Sequence, residues 1–392
     1  MVAVLSSTNA LTLHEELVGR AKELAPKIAR KARSIEERRA PDPEILQDLI
    51  DAELMQLFVP RRWGGHEASL RTHLEVVEVI SAACVSTGWI AAFYIGHNCL
   101  ALRFPEAAQE EFFADRPYAL IPITNAPTLS AKRVDGGWVV SGEAAWASGI
   151  MDADWVCLGG KDDTNTVYIF AIPIDDIEID DVWHYAGMSG TGSNTAVVKD
   201  AFVPMHRAVS APDFATGRLA AELYDNPLFS APLMSFILCE VMPVYSGGMR
   251  GAADAFEAIV RNRTAAYAKA KMSENPRAHV LLGDALLSAS IAERLVRDLY
   301  TQVEEGIEQR SIGVSERVAL KAQSAFIAEH CRRAVNEMAH YAGSSNFHLD
   351  SPIQRYFRDL NMLATHVFCE WDSSRELLGR DRLGLAPNHP IV

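Results

Sequence analysis

The feature that most constrains the fold is a change of hydrophobic period along the chain, from helical to extended and back. Up to about residue 117, apolar residues recur at three- and four-residue steps, as they do on one face of a helix. Residues 118–207 show short extended runs separated by aspartate and glycine, and helical periodicity then returns. We therefore predict an α+β fold, mainly α: an N-terminal helical domain (1–117), a central antiparallel β domain (118–207) and a C-terminal four-helix bundle (208–392).

Local signals place the individual elements. Asp42-Pro43-Glu44 is typical of a helix start, and residues 69–103 predict one long helix. Asp135-Gly136-Gly137 lies between two extended runs and predicts a hairpin in a sandwich or barrel. In the bundle, the periodicity predicts helices over Phe229–Lys271, Pro276–Glu305, Gly313–Tyr341 and Pro352–Leu378.

The charge balance and the cysteines exclude several classes of protein. The 392 residues include 51 Asp and Glu against 37 Lys and Arg, which disfavours binding to nucleic acid or to an anionic membrane. The most apolar stretch, Pro227–Met249, is interrupted by Glu240 and is too short to span a bilayer. Six scattered cysteines read as buried apolar residues in a reducing compartment, and no signal peptide is visible. We expect a cytoplasmic protein.

Common catalytic motifs are missing from the sequence. The glycine run Gly187–Ser193 has neither dinucleotide-binding nor Walker spacing, and taken alone it indicates a flexible loop. There is no GxSxG element of a hydrolase. Glu337-x-x-His340 has the spacing of a di-iron ligand pair, but no second ExxH accompanies it, so we expect no metal.

Five segments in order over about 280 residues carry a family resemblance. The arrangement of helical domain, β domain and bundle resembles the acyl-CoA dehydrogenase superfamily. The segments resemble its branch of flavin-dependent monooxygenases, which includes p-hydroxyphenylacetate and steroid-phenol hydroxylases, dibenzothiophene monooxygenase and nitrososynthases. They are Val85–Trp89 with Gly96-His97-Asn98, Ser141-Gly142 with Trp146–Gly149, Trp183–Ser193, Gln354–Asp359, and Ala364-Thr365-His366.

The resemblance implies an oxygenase component of a two-component system. Such a protein receives diffusible reduced FMN or FADH2 from a separate NAD(P)H:flavin reductase. Reaction with O2 gives a C4a-hydroperoxyflavin, which hydroxylates an aromatic or polycyclic small molecule. The family also implies a homotetramer. The protein has to orient the flavin and exclude water, since the cofactor supplies the difficult chemistry.

The resemblance also assigns roles to residues around the flavin ring and the substrate. Ser148 is expected at flavin N5, with Trp146, Trp183 and Ser193 beside the cofactor. His366 is expected as the catalytic base or the hydroperoxide partner, on a helical stripe with Arg355, Asp359, Met362 and Glu370. His97 is expected to line the substrate or flavin pocket and Asn125 to face the substrate; Asn125 lies in a stretch where the phenol hydroxylases carry serines, which leaves the substrate open.

A second group is expected at the flavin phosphate. Ser344 and Ser345, in the glycine-containing turn between the last two bundle helices, could form a phosphate nest with backbone N–H groups. Lys271 lies where dehydrogenases carry an arginine that reaches a neighbour's flavin, and lysine keeps the charge but loses the bidentate geometry.

Three alternatives stay open at this point. A true acyl-CoA dehydrogenase would need a glutamate base, and His366 stands close to the place where that glutamate is expected. A non-catalytic scaffold of the same fold would not need Ser148 and His366 together. An oxygenase of the same fold could also act on nitrogen or sulfur.

Overall fold

The computed structural model describes residues 2–264, 271–309 and 311–388. In these ranges the N-terminal part is helical, as predicted. Asp42 caps the second helix by accepting hydrogen bonds from the N–H groups of Glu44 and Ile45, with Pro43 in the first turn. The helices are α1 Val2–Arg38, α2 Pro43–Asp51, α3 Leu70–Ala83, α4 Val85–Ala101 and α5 Glu106–Phe112.

The single helix predicted over residues 69–103 is wrong in one respect: it is two helices, α3 and α4. Cys84 between them has an extended backbone, with φ −158° and ψ 117°. Its side chain is buried, so an apolar pattern continues through the break and hides it from a periodicity argument. Because of the break, α4 is a helix separate from α3. It carries Trp89, Phe93 and His97.

The central part forms one seven-stranded sheet of order β5-β6-β2-β1-β3-β4-β7. The predicted hairpin is confirmed: Val134 of β1 pairs with Gly137 of β2 across the Asp135-Gly136 turn. Neighbouring strands are antiparallel except β1 and β3, which run parallel, a feature that the short-strand pattern did not reveal. The strands are β1 Ile123–Val134, β2 Gly137–Ala147, β3 Trp155–Asp162, β4 Val167–Pro173, β5 Glu178–Asp180, β6 Asn194–Pro204 and β7 Ala208–Ser210.

The C-terminal part is a helical bundle, but two of its predicted helices have other bounds. The first ends at Asn262 instead of reaching Lys271, and residues 265–270 lie outside the described ranges. The fourth is interrupted between Leu363 and Trp371, so that His366 lies in a connection and not on a helix. The helices are α6 Ala211–Thr216, α7 Arg218–Leu223, α8 Leu233–Asn262, α9 Pro276–Glu308, α10 Val314–Ala342, α11 Pro352–Leu363 and α12 Trp371–Arg382.

The two helical parts share one core, and the sheet has a second. Apolar residues of α1, α3, α4 and the bundle form a continuous cluster, whereas the sheet packs a separate cluster around Trp138 and Phe170. Tyr245 of α8 donates its hydroxyl to the carbonyl of Leu363 at 2.7 Å, which ties the bundle to the connection that carries His366. All six cysteines are free and buried, as the sequence predicted.

Candidate active site

Ser148 lies at a sharp bend that follows β2. Trp146 has a left-handed backbone with φ +67°, and the N–H of Ser148 donates back to the Trp146 carbonyl at 2.9 Å. Gly149 also has a positive φ of +81°, and a Cβ there would lie 2.8 Å from the hydroxyl oxygen of Tyr94. These strained and crowded positions turn the Ser148 hydroxyl away from the sheet and toward α4.

A chain of buried hydroxyls fixes the proton of Ser148. Thr191 donates to the carbonyl of Met188 at 2.8 Å, so its oxygen is left to accept from Ser193 at 2.7 Å. Ser193 then accepts from Ser148, again at 2.7 Å. Trp89 donates its indole N–H to the Ser148 oxygen at 3.2 Å. The Ser148 oxygen therefore keeps one free lone pair, and it can accept one further hydrogen bond.

The glycine run is a locked loop rather than a flexible one. A Cβ on Gly187 would lie 2.4 Å from the carbonyl oxygen of Arg358, and a Cβ on Gly190 would lie 2.4 Å from the Cγ2 atom of Ile35. The N–H of Met188 donates to the buried carboxylate of Asp359 at 2.6 Å. The loop is thus held between α1 and α11, which fixes Thr191 and Ser193 under Ser148.

His366 follows α11, and its ring faces the same cluster. The ring meets the ring of Trp89 edge-on, with centroids 5.4 Å apart. Its Nδ1 accepts a hydrogen bond from the N–H of Phe368 at 3.4 Å. The helical stripe predicted for His366 is therefore wrong beyond Leu363, because His366 has the extended backbone of a residue that starts the short turn Val367–Cys369. Arg355, Asp359 and Met362 do lie on α11, and Glu370 caps α12 instead.

The surroundings of His366 keep its ring neutral. Burial, with the ammonium group of Lys321 as a second cause, lowers the pKa of His366 to about 4. Lys321 is itself buried on α10, and its Nζ lies 3.3 Å from the carbonyl oxygen of Val367 and 3.4 Å from that of Phe368. Because Nδ1 accepts from a backbone N–H, the single proton of the neutral ring resides on Nε2, which makes Nε2 a donor.

His97 is buried at the far end of a row of rings. Its ring stacks on Phe93 with centroids 4.8 Å apart, and Phe93 packs on Trp89 at 4.5 Å. Nδ1 of His97 lies 2.5 Å from the carbonyl oxygen of Ile121, so Nδ1 donates its proton. Nε2 lies 3.7 Å from Oε1 of Glu240. Burial lowers the pKa of His97 to about 4, and this ring is neutral too.

Asn125 lies where β1 leaves its partner strand. The β1–β3 register is interrupted between Thr124 and Leu129, so Asn125 belongs to a bulge rather than to the ladder. Its Oδ1 atom is buried, and no donor in the described ranges reaches it. An orphaned acceptor of this kind is a place for a ligand donor.

Three aromatic rings form a shelf at the open side of the bend. Trp183 is buried and donates its indole N–H to the carbonyl of Met188 at 3.0 Å. Trp146, in contrast, is 55% exposed, and Tyr185 is 43% exposed. The ring centroid of Trp146 lies 5.2 Å from that of Trp183 and 5.1 Å from that of Tyr185. Trp146 therefore does not pack inside a closed pocket but leaves an aromatic face open.

The residues expected at the flavin phosphate lie elsewhere on the surface. Ser344 and Ser345 are exposed, in the turn Ser344–Phe347 that packs on α10 and α11. Lys271 is exposed and forms an isolated bridge with Thr264. The structure places Ser148, Ser193, Trp183 and His366 in one buried region, whereas Lys271, Ser344 and Ser345 are on the exposed surface.

The region around Ser148, Trp146 and His366 suits a flavin ring. An open aromatic face beside a hydroxyl with a free lone pair matches a flat heterocycle that carries an N–H on its edge. Ser148 would accept from that edge, and Trp146 would lie against the ring. The sequence analysis gave no role to four supporting residues: Thr191, Trp89 as a donor, Tyr185 and Lys321. The first three lie within the motif segments, and only their contacts reveal what they do. Lys321 lies outside every motif.

The described part of the chain contains neither a candidate metal site nor a candidate membrane-spanning helix. No group of three or more His, Cys, Asp and Glu in residues 2–264, 271–309 and 311–388 could hold a metal ion, so Glu337 and His340 lack companions there. Within the same ranges, no helix has the length and the apolar character that crossing a bilayer requires.

Comparisons with known proteins agree with this arrangement. Residues 13–114 match the acyl-CoA dehydrogenase N-terminal domain, and residues 243–371 match the acyl-CoA dehydrogenase C-terminal domain. A pigment production hydroxylase of Rhodococcus sp. is 37% identical over 96% of this chain and 98% of that protein. The chain belongs to the acyl-CoA dehydrogenase family. It falls among the flavin-dependent oxygenase components of that family.

Two other relatives are proteins whose names or structures include reduced flavin. The oxygenase component of a FADH(2)-dependent resorcinol hydroxylase from Rhizobium sp. is 31% identical over 95% of both chains. The solved structure of XiaF from Streptomyces sp., in complex with FADH2 and glycerol, is similar to this chain, with a TM-score of 0.91. It is 28% identical and covers 98% of this chain and 99% of that one. The resemblance inferred from the motifs is confirmed, and so are the fold class and the flavin-dependent monooxygenase class.

Proposed function

We propose that this protein is the oxygenase component of a two-component monooxygenase that hydroxylates an aromatic small molecule. The observation that carries the proposal is the hydroxyl chain of Ser148, Ser193 and Thr191 beside the neutral ring of His366. The relatives named as hydroxylases and oxygenase components support a diffusible reduced flavin, FMN or FADH2, delivered by a separate NAD(P)H:flavin reductase. The flavin, when bound, activates O2.

Ser148 holds the flavin edge in this account. Its own proton is directed to Ser193, and one of its lone pairs accepts from Trp89. The remaining lone pair accepts the N5–H of reduced flavin. An unpaired N–H in a water-poor site would be costly, so this bond favours the flavin form that retains a proton on N5.

His366 acts as a hydrogen-bond donor through Nε2. A neutral ring whose Nδ1 already accepts from Phe368 has a proton to offer and no free lone pair. Of the two roles that the family resemblance left open, a donor to the transferred oxygen therefore fits this geometry better than a base for the substrate. Trp89 and Phe93 complete an apolar wall that excludes water.

The substrate would lie between this wall and Asn125. Asn125 presents a buried acceptor without a donor, which a hydroxyl or amino group on an aromatic ring would satisfy. The dibenzothiophene monooxygenase structures, which stand for the sulfur-oxygenating alternative, are 17–18% identical and share the fold alone. The relatives at 37% and 31% identity are named as hydroxylases. Carbon hydroxylation is therefore favoured.

The dehydrogenase alternative has less support. The first glutamate after His366 is Glu370, and its carboxylate accepts from the N–H groups of Asp372 and Ser373 at the start of α12. These bonds lower the pKa of Glu370 and occupy it as a helix cap. A carboxylate used in this way is poorly placed to remove a proton from a thioester.

Two further parts of the proposal concern assembly and location. Exposed apolar residues on α9, namely Val280, Leu287 and Ile291, follow helical spacing and support association of copies into a homotetramer. A second copy would bring its own residues to the exposed phosphate side of the site. Six free buried cysteines are consistent with the cytoplasm.

A labelled-oxygen experiment tests the proposal. The protein is supplied with a flavin reductase, NADH and a phenol under isotopically heavy O2, and the product is analysed by mass spectrometry. One heavy oxygen atom in the product is expected. Peroxide formed in stoichiometric amount with no labelled product, or dye reduction driven by an acyl-CoA, would contradict it.

A further inference from the structure

The connection between α11 and α12 carries His366, yet its side chains pack weakly. Leu363 just before it and Cys369 near its end are buried. Thr365 and Val367, on either side of the histidine, are exposed, and the other side chains of the connection are half-buried. Side-chain burial therefore anchors the connection only at its two ends, and backbone contacts have to hold the part between them.

Two buried side chains of the bundle make such backbone contacts. A break in a helix leaves carbonyl groups without intrahelical partners. Nζ of Lys321, on α10, lies 3.3 Å from the carbonyl oxygen of Val367 and 3.4 Å from that of Phe368. The hydroxyl of Tyr245, on α8, donates to the carbonyl of Leu363 at 2.7 Å. The backbone is thus held both before and after the histidine.

Lys321 is suited to hold two carbonyl groups at once. Its side chain is 3% exposed, and burying an ammonium group is costly unless the group is hydrogen-bonded. Its two hydrogen bonds go to carbonyl oxygens and not to a carboxylate. An ammonium group has three N–H donors, so it can serve both oxygens, whereas an apolar side chain of similar length could serve neither.

One of the two carbonyl groups belongs to the peptide unit that sets the state of the histidine ring. The carbonyl of Val367 and the N–H of Phe368 are parts of the same planar unit, and they point in opposite directions. The carbonyl faces Lys321, and the N–H donates to Nδ1 of His366 at 3.4 Å. Holding the oxygen of this unit therefore directs its N–H at the ring.

We propose that Lys321 is a positioning residue for His366, because it fixes the peptide unit that keeps the ring proton on Nε2. Without Lys321 this unit can turn, and Nδ1 loses its donor. The ring then no longer keeps one tautomer and one place beside Trp89, which donates to Ser148. The inference rests on the proposed oxygenase function, because it concerns the hydrogen-bond donor of the same site.

Amide hydrogen exchange tests the positioning role without requiring turnover. Exchange in peptides that cover residues 364–370 is measured by mass spectrometry for wild type, Lys321→Met, Lys321→Arg and the control Lys199→Met. Lys199 is exposed on β6 and bonds to Glu178. Lys321→Met should exchange at least about fivefold faster in these peptides. Lys321→Arg, which keeps charge and donors, should stay within about twofold of wild type, and the control should match wild type.

The reaction supplies a readout that a general loosening of the fold would not give. With reduced flavin, O2 and a phenol, Lys321→Met should form about fivefold less product per oxygen consumed, with KM for the phenol within about twofold of wild type. Combined with His366→Ala, the same substitution should cost no further product, since Lys321 acts through His366. Lys321→Arg should restore about half of the wild-type yield or more.

Two results would overturn the proposal. One is unchanged exchange over residues 364–370 in Lys321→Met. The other is a loss of product from Lys321→Met that is equally large with and without His366. If Lys321→Met does not fold, Lys321→Gln takes its place in both experiments, because its shorter side chain cannot reach both carbonyl groups. If exchange changes as expected but wild type forms no hydroxylated product, the positioning role stands and the oxygenase assignment fails.

Discussion

The two ends of the predicted flavin site differ sharply. At the Ser148 end, hydroxyls, an indole and an imidazole are buried or half-buried, and each has a named partner. At the Lys271 end, the expected phosphate-binding residues Lys271, Ser344 and Ser345 are exposed. The difference teaches that a single chain builds the Ser148 end, where the flavin ring would react. The Lys271 end, where the flavin phosphate would bind, lies on the surface of that chain.

The contrast has an energetic consequence. Hydrogen bonds at the buried end act in a low dielectric and are costly to leave unmade. A lysine that meets a phosphate at the surface acts through water and is screened by salt. Substitutions at the buried end should therefore change the reaction, and those at the exposed end should change only affinity.

The largest effect is expected for His366→Ala. The variant lacks the Nε2–H donor beside Trp89 but keeps Ser148 and the aromatic shelf. Product formation should fall by about a hundredfold or more, with reduced-flavin affinity within about threefold of wild type. Product is measured by chromatography and flavin affinity by fluorescence, with the exposed His279→Ala as control. If His366→Ala gave the wild-type yield of product, the claim that the buried end controls the reaction would be wrong.

Ser148→Ala should have the next largest effect. Without an acceptor for N5–H, flavin should return to its oxidised form about tenfold faster after oxygen is added, and peroxide should be released in place of product. Stopped-flow absorbance and a peroxide assay give both quantities. Ser130→Ala, a serine exposed on β1, is the matched control and should behave like wild type.

A smaller effect concerns pH and is expected for Lys321→Met. The ammonium group of Lys321 contributes to the low pKa of His366, so its removal should raise that pKa from about 4 toward the ordinary value of 6.5. A protonated His366 has a different charge from the reactive form. The acid limb of the pH–rate profile should move to higher pH in the variant. An acid limb that stays in place would show that Lys321 does not act on His366.

Folding stability should respond to acid with a defined sign. Burial lowers the folded-state pKa of His97 and His366 to about 4, below their ordinary value of 6.5. Between these pH values the unfolded chain binds more protons than the folded one, so stability falls as pH falls from 6.5 to about 4. The carboxyl groups of Asp359 and Glu78, whose pKa burial raises to about 6 and about 7, act in the opposite direction. The histidine contribution is therefore measured as the difference in melting temperature between wild type and His366→Ala at about pH 6.5 and at about pH 4.5. This difference should shift against wild type at the lower pH, and a shift in favour of wild type would contradict the account.

The smallest effect is expected for Lys271→Ala. An exposed lysine can lend only a screened attraction to a flavin phosphate, so the affinity should fall by about threefold, and less at high salt. A loss of a hundredfold would mean that the exposed end is buried in the assembled protein. Analytical ultracentrifugation of the same sample gives the oligomeric state.

Much of the fold could be predicted because its signals are local. The Asp42 cap, the hairpin at Asp135-Gly136 and the change of period each depend on neighbours in sequence. The break at Cys84 could not be predicted, since buried apolar residues continue through it. The break after Leu363 carries no glycine or proline to mark it, so no local sign of it is present in the sequence. The second break matters most, because it removes His366 from the helix.

The site was predictable only where a motif named its residues. Ser148, Trp183, Ser193 and His366 came from the family resemblance, and the structure brings them together. Lys321 and Glu240 had no signal beyond being charged residues in apolar stretches. Their partners lie 46 and 143 positions away in sequence, at Val367 and His97, a separation that periodicity cannot bridge.

One measurement tests the central claim most directly. Wild type and Ser148→Ala are mixed anaerobically with reduced FMN or FADH2, oxygen is added, and the absorbance of oxidised flavin is followed in time. The account predicts that wild type delays the return of oxidised flavin by seconds, with a spectrum unlike either the reduced or the oxidised form. Ser148→Ala should shorten that delay. Immediate reoxidation by wild type, with one peroxide released per flavin, would contradict the account.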